Sequence, residues 1–472
     1  MLSAGVSRVD ITPSVPIDVV GYSRRVEPAS EIRGRLTATA LVVELGPTRV
    51  AILAADVPFL TPHHADRLRA EIGAAIDTSP DHVMIGVSHT HAGPMTDSQG
   101  VKIGGQQRAR SANEMAFIDS FPRQIKEVAT QAAAQLEPVR VAGGVGTLDL
   151  AVNRREKNAE GRVILGWNPD KAVDRDVGVL RIDRLDGSTL AVLVSYACHP
   201  VVVGPEDAGV NPDYPGPMRD LVEQVTGATC LFLQGACGNV LPLEGFFDHT
   251  GPEVAFGRKL GVEVLHVLEQ LTPTELRIQR IDYGSVTPIV LHRQVAADPQ
   301  PVQTLAACGR TVQLPLKPLP TLAQLEAERD GYQKEVDRIR SSGADQVALN
   351  PVEYHLNWAE DAIEQTRRGD TASQVPAFLQ AMRIGDTVIA TMPGEAFSEL
   401  AIEVKRRSVA ATTLFAGYTN GVLTYLPTAV EYPDGGYECD YAHHSYGLVE
   451  QIAPESEQIL VDTCVELIAV TH

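Results

Sequence analysis

Residues 82–91 read HVMIGVSHTH. A short apolar run, too brief for an ordinary helix, breaks off into a histidine pair, which is how a buried strand delivering side chains to a sheet edge reads. The same design recurs in RVAILAAD (49–56), TLAVLVSYACHP (189–200) and ATCLFLQGAC (228–237). Between these runs, Pro62 to Ile76, Ala112 to Leu136, Pro215 to Val225 and Pro252 to Leu271 carry apolar residues at helical spacing, and three of the four begin at or near a proline. The alternation predicts stacked βα units around a largely buried sheet, an α/β fold.

Downstream, RIQRIDYGSVTPIVLHRQV (277–295) is rich in strand formers, so mixed sheets are expected rather than a purely parallel one. Dense charge of both signs from Leu322 to Arg340, followed by WAEDAIEQTRR (358–368) after a Gly/Asn/Pro-containing connection, reads as an exposed helical pair inserted around 318–372. FLQAMRIGDTVIATMPGE (378–395) reads as a hairpin, with a helix from Ala396, the strand TTLFAGYTN (412–420) and a closing helix from about Glu455. With no internal repeat or low-complexity linker, one large catalytic domain, residues 1–472, with mixed β-sheets covered by helices is the simplest partition.

The 472 residues hold 40 Lys and Arg against 60 Asp and Glu, a net charge of −20, which disfavours nucleic acid as a partner. The six cysteines mostly lie in or beside apolar runs and are expected to be reduced. The start, MLSAGVSRVDITP, lacks a basic-then-apolar leader, and no apolar run approaches the roughly 18 residues that span a bilayer. A cytoplasmic protein without stable membrane association is therefore expected, a homo-oligomer being left open.

The strand runs end in Asp56, His89 and His91, His199, Asn239 and Glu395. Loops at the carboxyl ends of strands in open α/β sheets converge on one cleft. In an extended segment, residues 89 and 91 share a side, so two imidazoles would face one cavity. With a third from His199 and a carboxylate from Glu395, the set suits a hydrolytic zinc. Any single histidine also reads as a hydrogen-bonded core residue. Asp56 fits either a carboxylate that orients a ligand imidazole or a turn before Pro58. Asp213, in NPDYPG (211–216), fits a cap for the helix near Pro215. The pairs His63-His64 and His443-His444 read as exposed loop residues, with substrate contact as the alternative for the second pair. Trp167 reads as flanking the groove or as packing.

The motifs resemble a known family. VSRVDITP (6–13), RGRLTATALVVE (33–44), GVSHTHAGP (86–94), VNRREK (152–157), YACHPV (196–201), QGACGNVLP (234–242), MPGEAF (392–397) and YLPTAVEYPDGGYE (425–438) follow the order and approximate spacing of the catalytic domain of neutral/alkaline non-lysosomal ceramidases. The resemblance implies one zinc ion per chain, held by His89, His199, Glu395 and Tyr425, with His91, Arg154 and Tyr437 lining the same pocket as catalytic residues. Tyr425 also reads as an aromatic packing residue. Where the family carries a serine held to be essential, this chain has Leu241, which offers no oxygen to attack a carbonyl or carry a proton. A chain without the immunoglobulin-like C-terminal domain and the secretion signal of typical family members is also expected.

Those departures leave a zinc-dependent hydrolase that cleaves an amide, an ester or a lactone of a small soluble substrate by metal-activated water. A true ceramidase and a non-catalytic metal-containing protein of the same fold are the alternatives. His91 would move protons; Arg154 and Tyr437 would stabilise developing charge, unless Arg154 clamps a substrate carboxylate or pairs with Asp174 or Asp176. Substrate choice is expected in the loops 95–110, 243–250 and 427–446.

Overall fold

The computed structural model describes residues 1–97, 110–274, 276–282, 289–297 and 303–472. Its largest sheet has eight strands in the order β10 (Thr229–Gln234), β9 (Thr189–Tyr196), β8 (Asp176–Arg184), β5 (Glu137–Thr147), β1 (Ser3–Asp10), β2 (Thr37–Leu45), β3 (Thr48–Ala55) and β4 (Val83–Val87). Only the two outermost pairs, β10/β9 and β3/β4, are parallel, and the rest are antiparallel. The expected succession of βα units thus shrinks to two, β3–α1 (Pro62–Ala75)–β4 and β9–α3 (Pro215–Thr226)–β10. Each edge of the sheet is a crossover whose carboxyl end delivers site residues.

Strands β2, β3, β4, β9 and β10 are nearly continuously buried because both faces of the sheet are covered there. Ala40, Val42, Leu53 and Val194 point into one core beneath α1, α2 (Ala112–Ala133), α3 and α4 (Pro252–Gln270). Leu41, Val43, Ile52 and Leu193, the alternate positions, meet Met382, Ile389 and Leu414 of a second sheet. That sheet runs β14 (Leu305–Pro315), β15 (Gln374–Ile384), β16 (Thr387–Thr391), β18 (Thr412–Ala416). Its far face packs through Leu379, Val388 and Phe415 on α7 (Ser398–Arg407) and α9 (Ser456–Val470). The result is a helix–sheet–sheet–helix stack.

Local signals set the helix ends. Thr61 accepts the His64 amide with Pro62 at the first turn, and Ser111 and Glu114 form a reciprocal capping box at the start of α2. Gly227 closes α3 in the left-handed conformation at φ 71°. The inserted pair is α5 (Leu322–Ser341) and α6 (Gln346–Arg368). The second helix starts twelve residues before the expected Trp358, since Asp345 caps it and Pro351 lies within its second turn rather than in a connection.

Two small sheets finish the architecture around the site. One is β11 (Val240–Pro242), β6 (Ala151–Lys157) and β7 (Val163–Asn168); the other pairs β17 (Glu395–Ala396) with β19 (Tyr425–Leu426) in parallel. A four-residue helix, α8 (Tyr437–Asp440), and a 3-10 turn over Ala442–Tyr446 follow β19. A separate ribbon joins β12 (Leu276–Asp282) to β13 (Val290–Ala296). All six cysteines are free, as expected. Among the described residues no helix is long and apolar enough to cross a membrane.

Candidate metal centre and active site

The two edges of the large sheet meet. Gly86 of β4 has no side chain, and a Cβ there would sit 2.6 Å from Leu233 Cδ2 of β10. The segment 417–420 closes the seam, with the Asn420 amide donating to the Ile85 carbonyl at 2.8 Å. This curl carries the carboxyl ends of β4 and β9 to one place.

His89 does not continue β4, which stops at Val87. Its backbone turns into the left-handed region at φ 63°, and its amide donates to the Val57 carbonyl at 3.1 Å. Such a conformation is costly for a side chain with a Cβ and persists only where surroundings enforce it. The convergence expected from strand alternation is therefore produced by a turn, which brings the Nε2 atoms of His89 and His91 to 3.3 Å. Gly21, at φ 120°, leaves the room for His91, because a Cβ there would lie 2.5 Å from the ring.

Backbone carbonyls orient two of the imidazoles. His89 Nδ1 donates to the Pro58 carbonyl and His199 Nδ1 to the Cys237 carbonyl, both at 2.6 Å, so each ring turns its Nε2 toward the cavity. The ring nitrogens of His89, His91 and His199 can all lie within 4.8 Å of one another. Glu395 Oε2 is 3.1 Å from His199 Nε2 and 3.6 Å from His89 Nε2. Tyr418 donates to the same oxygen at 3.0 Å, and the Tyr446 hydroxyl donates to Oε1. Tyr425 stands directly opposite Glu395 in the β17–β19 ladder.

Burial alone would raise the Glu395 carboxyl, but His89 and His199 hold it well below the usual carboxylate range. Burial pushes His89 down to about 4, against the pull of Glu395. For His199 burial acts in the same direction but Cys237 and Glu395 prevail, holding it up at about 9. His199 Nε2 is nonetheless a buried atom without a hydrogen bond, as are His91 Nδ1 and Arg154 Nη2. An anionic carboxylate beside inward-facing imidazole nitrogens, one of them unsatisfied, fits a divalent cation with nitrogen and oxygen ligands.

Arg154 Nε donates to Glu438 Oε1 at 2.7 Å, and its guanidinium carbon lies 5.3 Å from the Tyr425 ring centre and 5.9 Å from that of Tyr437. The Tyr425 hydroxyl lies near enough to act electrostatically on Arg154. The acids anticipated for Arg154 pair elsewhere: Asp174 and Asp176 hold Lys405 at 2.7 and 2.9 Å. Neighbouring Arg155, fully buried, bonds Glu438 at 2.6 Å and Glu431 at 2.7 Å. Consecutive residues of β6 thereby share one glutamate on α8.

A cavity of about 870 Å³ is lined by all seven residues singled out in the sequence, His89, His91, Arg154, His199, Glu395, Tyr425 and Tyr437. Leu241 forms part of its wall, with Tyr22, Leu165 and Phe246. Pro351 and Tyr354 of α6 line it too, so the inserted pair is not simply an exposed appendage. Of the anticipated loops, 243–250 contributes Phe246 and 427–446 contributes Tyr437, Tyr441, Ser445 and Tyr446. In the loop 95–110, residues 98–109 lie outside the described residues.

Several other expectations change. Asp56 orients no imidazole; both its oxygens hold Arg219, at 2.8 and 2.6 Å. Asn239 is structural as well, accepting the Ser398 amide at the start of α7. Asp213 gives α3 no cap. Burial, opposed by hydrogen bonds from the Val203 and Tyr214 amides, pushes its carboxyl up to about 7. His64 is buried on α1 and His443 is buried in the 3-10 turn, because helical backbone points adjacent side chains apart and one of each pair inward. Trp167 is 60% exposed and outside the cavity lining. Sequence reading passed over Tyr418, Tyr446, Glu438 and Tyr354. The tyrosine-rich stretch YECDYAHHSYG was the one signal pointing to any of them.

Comparison with known proteins bears out the family resemblance. Residues 2–232 match the family model described as neutral/alkaline non-lysosomal ceramidase, N-terminal. The neutral ceramidase of Pseudomonas aeruginosa superposes with a TM-score of 0.66 at 19% identity, covering 100% of this chain and 74% of its own. A ceramidase complexed with C2 gives 0.68 at 18% identity, covering 99% and 75%. The chain has the neutral ceramidase fold.

Proposed function

We propose that the protein is a ceramidase-type hydrolase that cleaves an amide bond of a small substrate with water, an ester or lactone being the close chemical variants, and that His89, His199, Glu395 and Tyr425 would hold one zinc ion at its site. One observation carries the reading: inward-facing imidazoles and an ionised, doubly hydrogen-bonded carboxylate gather in one buried cavity with a nitrogen left unsatisfied. Bound zinc would supply Lewis acidity and lower the pKa of water toward about 7.

The chain's own groups divide the remaining work. Pro58 and Cys237 fix which nitrogen His89 and His199 present, and Tyr418 and Tyr446 fix the carboxylate of Glu395. His91 keeps an unpartnered Nδ1 and is assigned proton transfer between water and leaving group. Arg154, anchored through Nε to Glu438, leaves Nη2 as a free donor for the oxygen on which negative charge develops, and Tyr437 stands beside it. Leu241 in the cavity wall excludes a serine ester at that position, so water is the nucleophile.

Metal analysis of the purified protein tests the ligand set. About one zinc per chain is expected, lost in His89→Ala and Glu395→Ala; full metal in both variants would remove the proposal. His91→Ala is expected to keep metal while losing turnover roughly 10²–10⁴-fold on a panel of N-acyl amines, N-acyl amino acids and lactones. A second reading, ceramide as the substrate, draws support from the family match. Metal-dependent release of sphingosine from detergent-dispersed ceramide, at rates above those on the soluble panel, would decide for it.

A further inference from the structure

Behind Glu395 runs a chain of hydrogen bonds whose middle member is a thiol. Tyr418 is buried, with its backbone in the left-handed region at φ 52°. Its hydroxyl donates to Glu395 Oε2 at 3.0 Å, and its ring lies over that of His89, the centroids 4.4 Å apart. A bulky residue keeps such a backbone only where its surroundings enforce it, and such positions gather at functional sites. Cys237 Sγ lies 3.1 Å from the same hydroxyl, and Gln234 Nε2 lies 3.1 Å from Sγ on the other side. Both of these side chains are buried as well.

Counting protons gives every link one direction. The Cys198 carbonyl can only accept, so the group 2.6 Å from it is the amide nitrogen of Gln234, which leaves the second N–H for sulfur. Tyrosine has a single hydroxyl proton, and Glu395 takes it. The bond between Cys237 and Tyr418 is therefore made by the S–H, with the tyrosine oxygen accepting. Gln234 thus donates to sulfur, sulfur to Tyr418 and Tyr418 to Glu395, so that every donor points toward the carboxylate. Hydrogen bonds that run head to tail polarise one another, and the thiol strengthens the Tyr418 donor. The backbone carbonyl of Cys237 meanwhile receives His199 Nδ1 at 2.6 Å, so one residue reaches two of the proposed zinc ligands by separate atoms. We propose that Cys237 is a positioning residue whose thiol, through Tyr418, holds the Glu395 carboxylate in the orientation that receives the metal ion. The inference rests on the ligand set proposed above. Packing alone makes the opposite demand, because a buried thiol that acts as a small hydrophobe is better replaced by alanine than by serine.

Zinc affinity, read by competition with a chromophoric chelator, tests this. Cys237→Ala is expected to bind zinc roughly ten-fold more weakly than the unchanged protein. Cys237→Val, which fills the space without a donor, is expected to match it, and keeps the test open if the alanine variant does not fold. Cys237→Ser should recover most of the loss, since its hydroxyl can accept from Gln234 and donate to Tyr418. In a Tyr418→Phe background, Cys237→Ala should cost no further affinity, because its effect travels through the hydroxyl already removed. Circular dichroism should be the same in every variant that is compared. Unchanged affinity in the alanine and valine variants, a serine variant no tighter than either, or full additivity with Tyr418→Phe would overturn the proposal. So would a sulfur-to-metal charge-transfer band in cobalt-loaded protein that Cys237→Ser abolishes, which would make the thiol a ligand. Absence of zinc binding by the unchanged protein would instead remove the ligand set, and this inference with it.

Discussion

Glu395 is a residue whose character is set by its neighbours. Tyr446→Phe removes the donor to one oxygen, and Tyr418→Phe the donor to the other. Each is expected to weaken zinc affinity roughly 10–100-fold, read by competition with a chromophoric chelator. Elsewhere, Asp56→Ala would leave Arg219 charged, buried and unpaired. A loss of about 3–5 kcal/mol in urea unfolding is expected. His443 gives a pH signature. Burial, with Lys317 and His355 adding to it, pushes this imidazole down to about 3, while in the unfolded chain it titrates near 6.5. The unfolded state takes up the proton first, so this contribution to stability is complete above about pH 6.5 and falls by about 1.4 kcal/mol per unit as pH drops toward 3. His443→Phe should flatten that part of the profile in melts from pH 7.5 to 4.5; an unchanged slope would refute the assignment.

At the scale of elements, the short β17–β19 ladder places Glu395 and Tyr425 side by side, and its position depends on Gly238. A Cβ on Gly238 would come 2.2 Å from the Glu395 carbonyl oxygen. Gly238→Ala is therefore expected to displace β17 and abolish stoichiometric zinc in a protein that still folds, checked by metal analysis beside circular dichroism. Elements with local causes were legible in the sequence: α1 to α4 lie within a few residues of the ranges expected from prolines and apolar spacing. Parallel pairing was over-read because a strand covered on both faces is apolar throughout, whichever way its neighbour runs. The strand-end histidines could be read because each closes an apolar run. The left-handed turn at His89 could not, nor could the Arg154–Glu438 pair, whose partners are 284 residues apart.

Across the whole molecule, the cavity draws on both halves of the chain. A fragment of residues 1–232 would contain His89, His91, Arg154 and His199 but lack Glu395, Tyr418, Tyr425 and Tyr446. It would also lose the second sheet that covers Leu41, Val43, Ile52 and Leu193. Such a fragment is expected to aggregate, to show no cooperative calorimetric transition and to bind no stoichiometric zinc. In the full protein, chelation should lower the melting temperature and added zinc restore it, as linkage requires of an ion bound only by the folded state.

The Tyr446 hydroxyl that holds Glu395 comes 357 residues after His89. During synthesis, then, the early histidines emerge from the ribosome long before the groups that complete their site, and an ion held by the full proposed set would be captured only after those later groups have emerged.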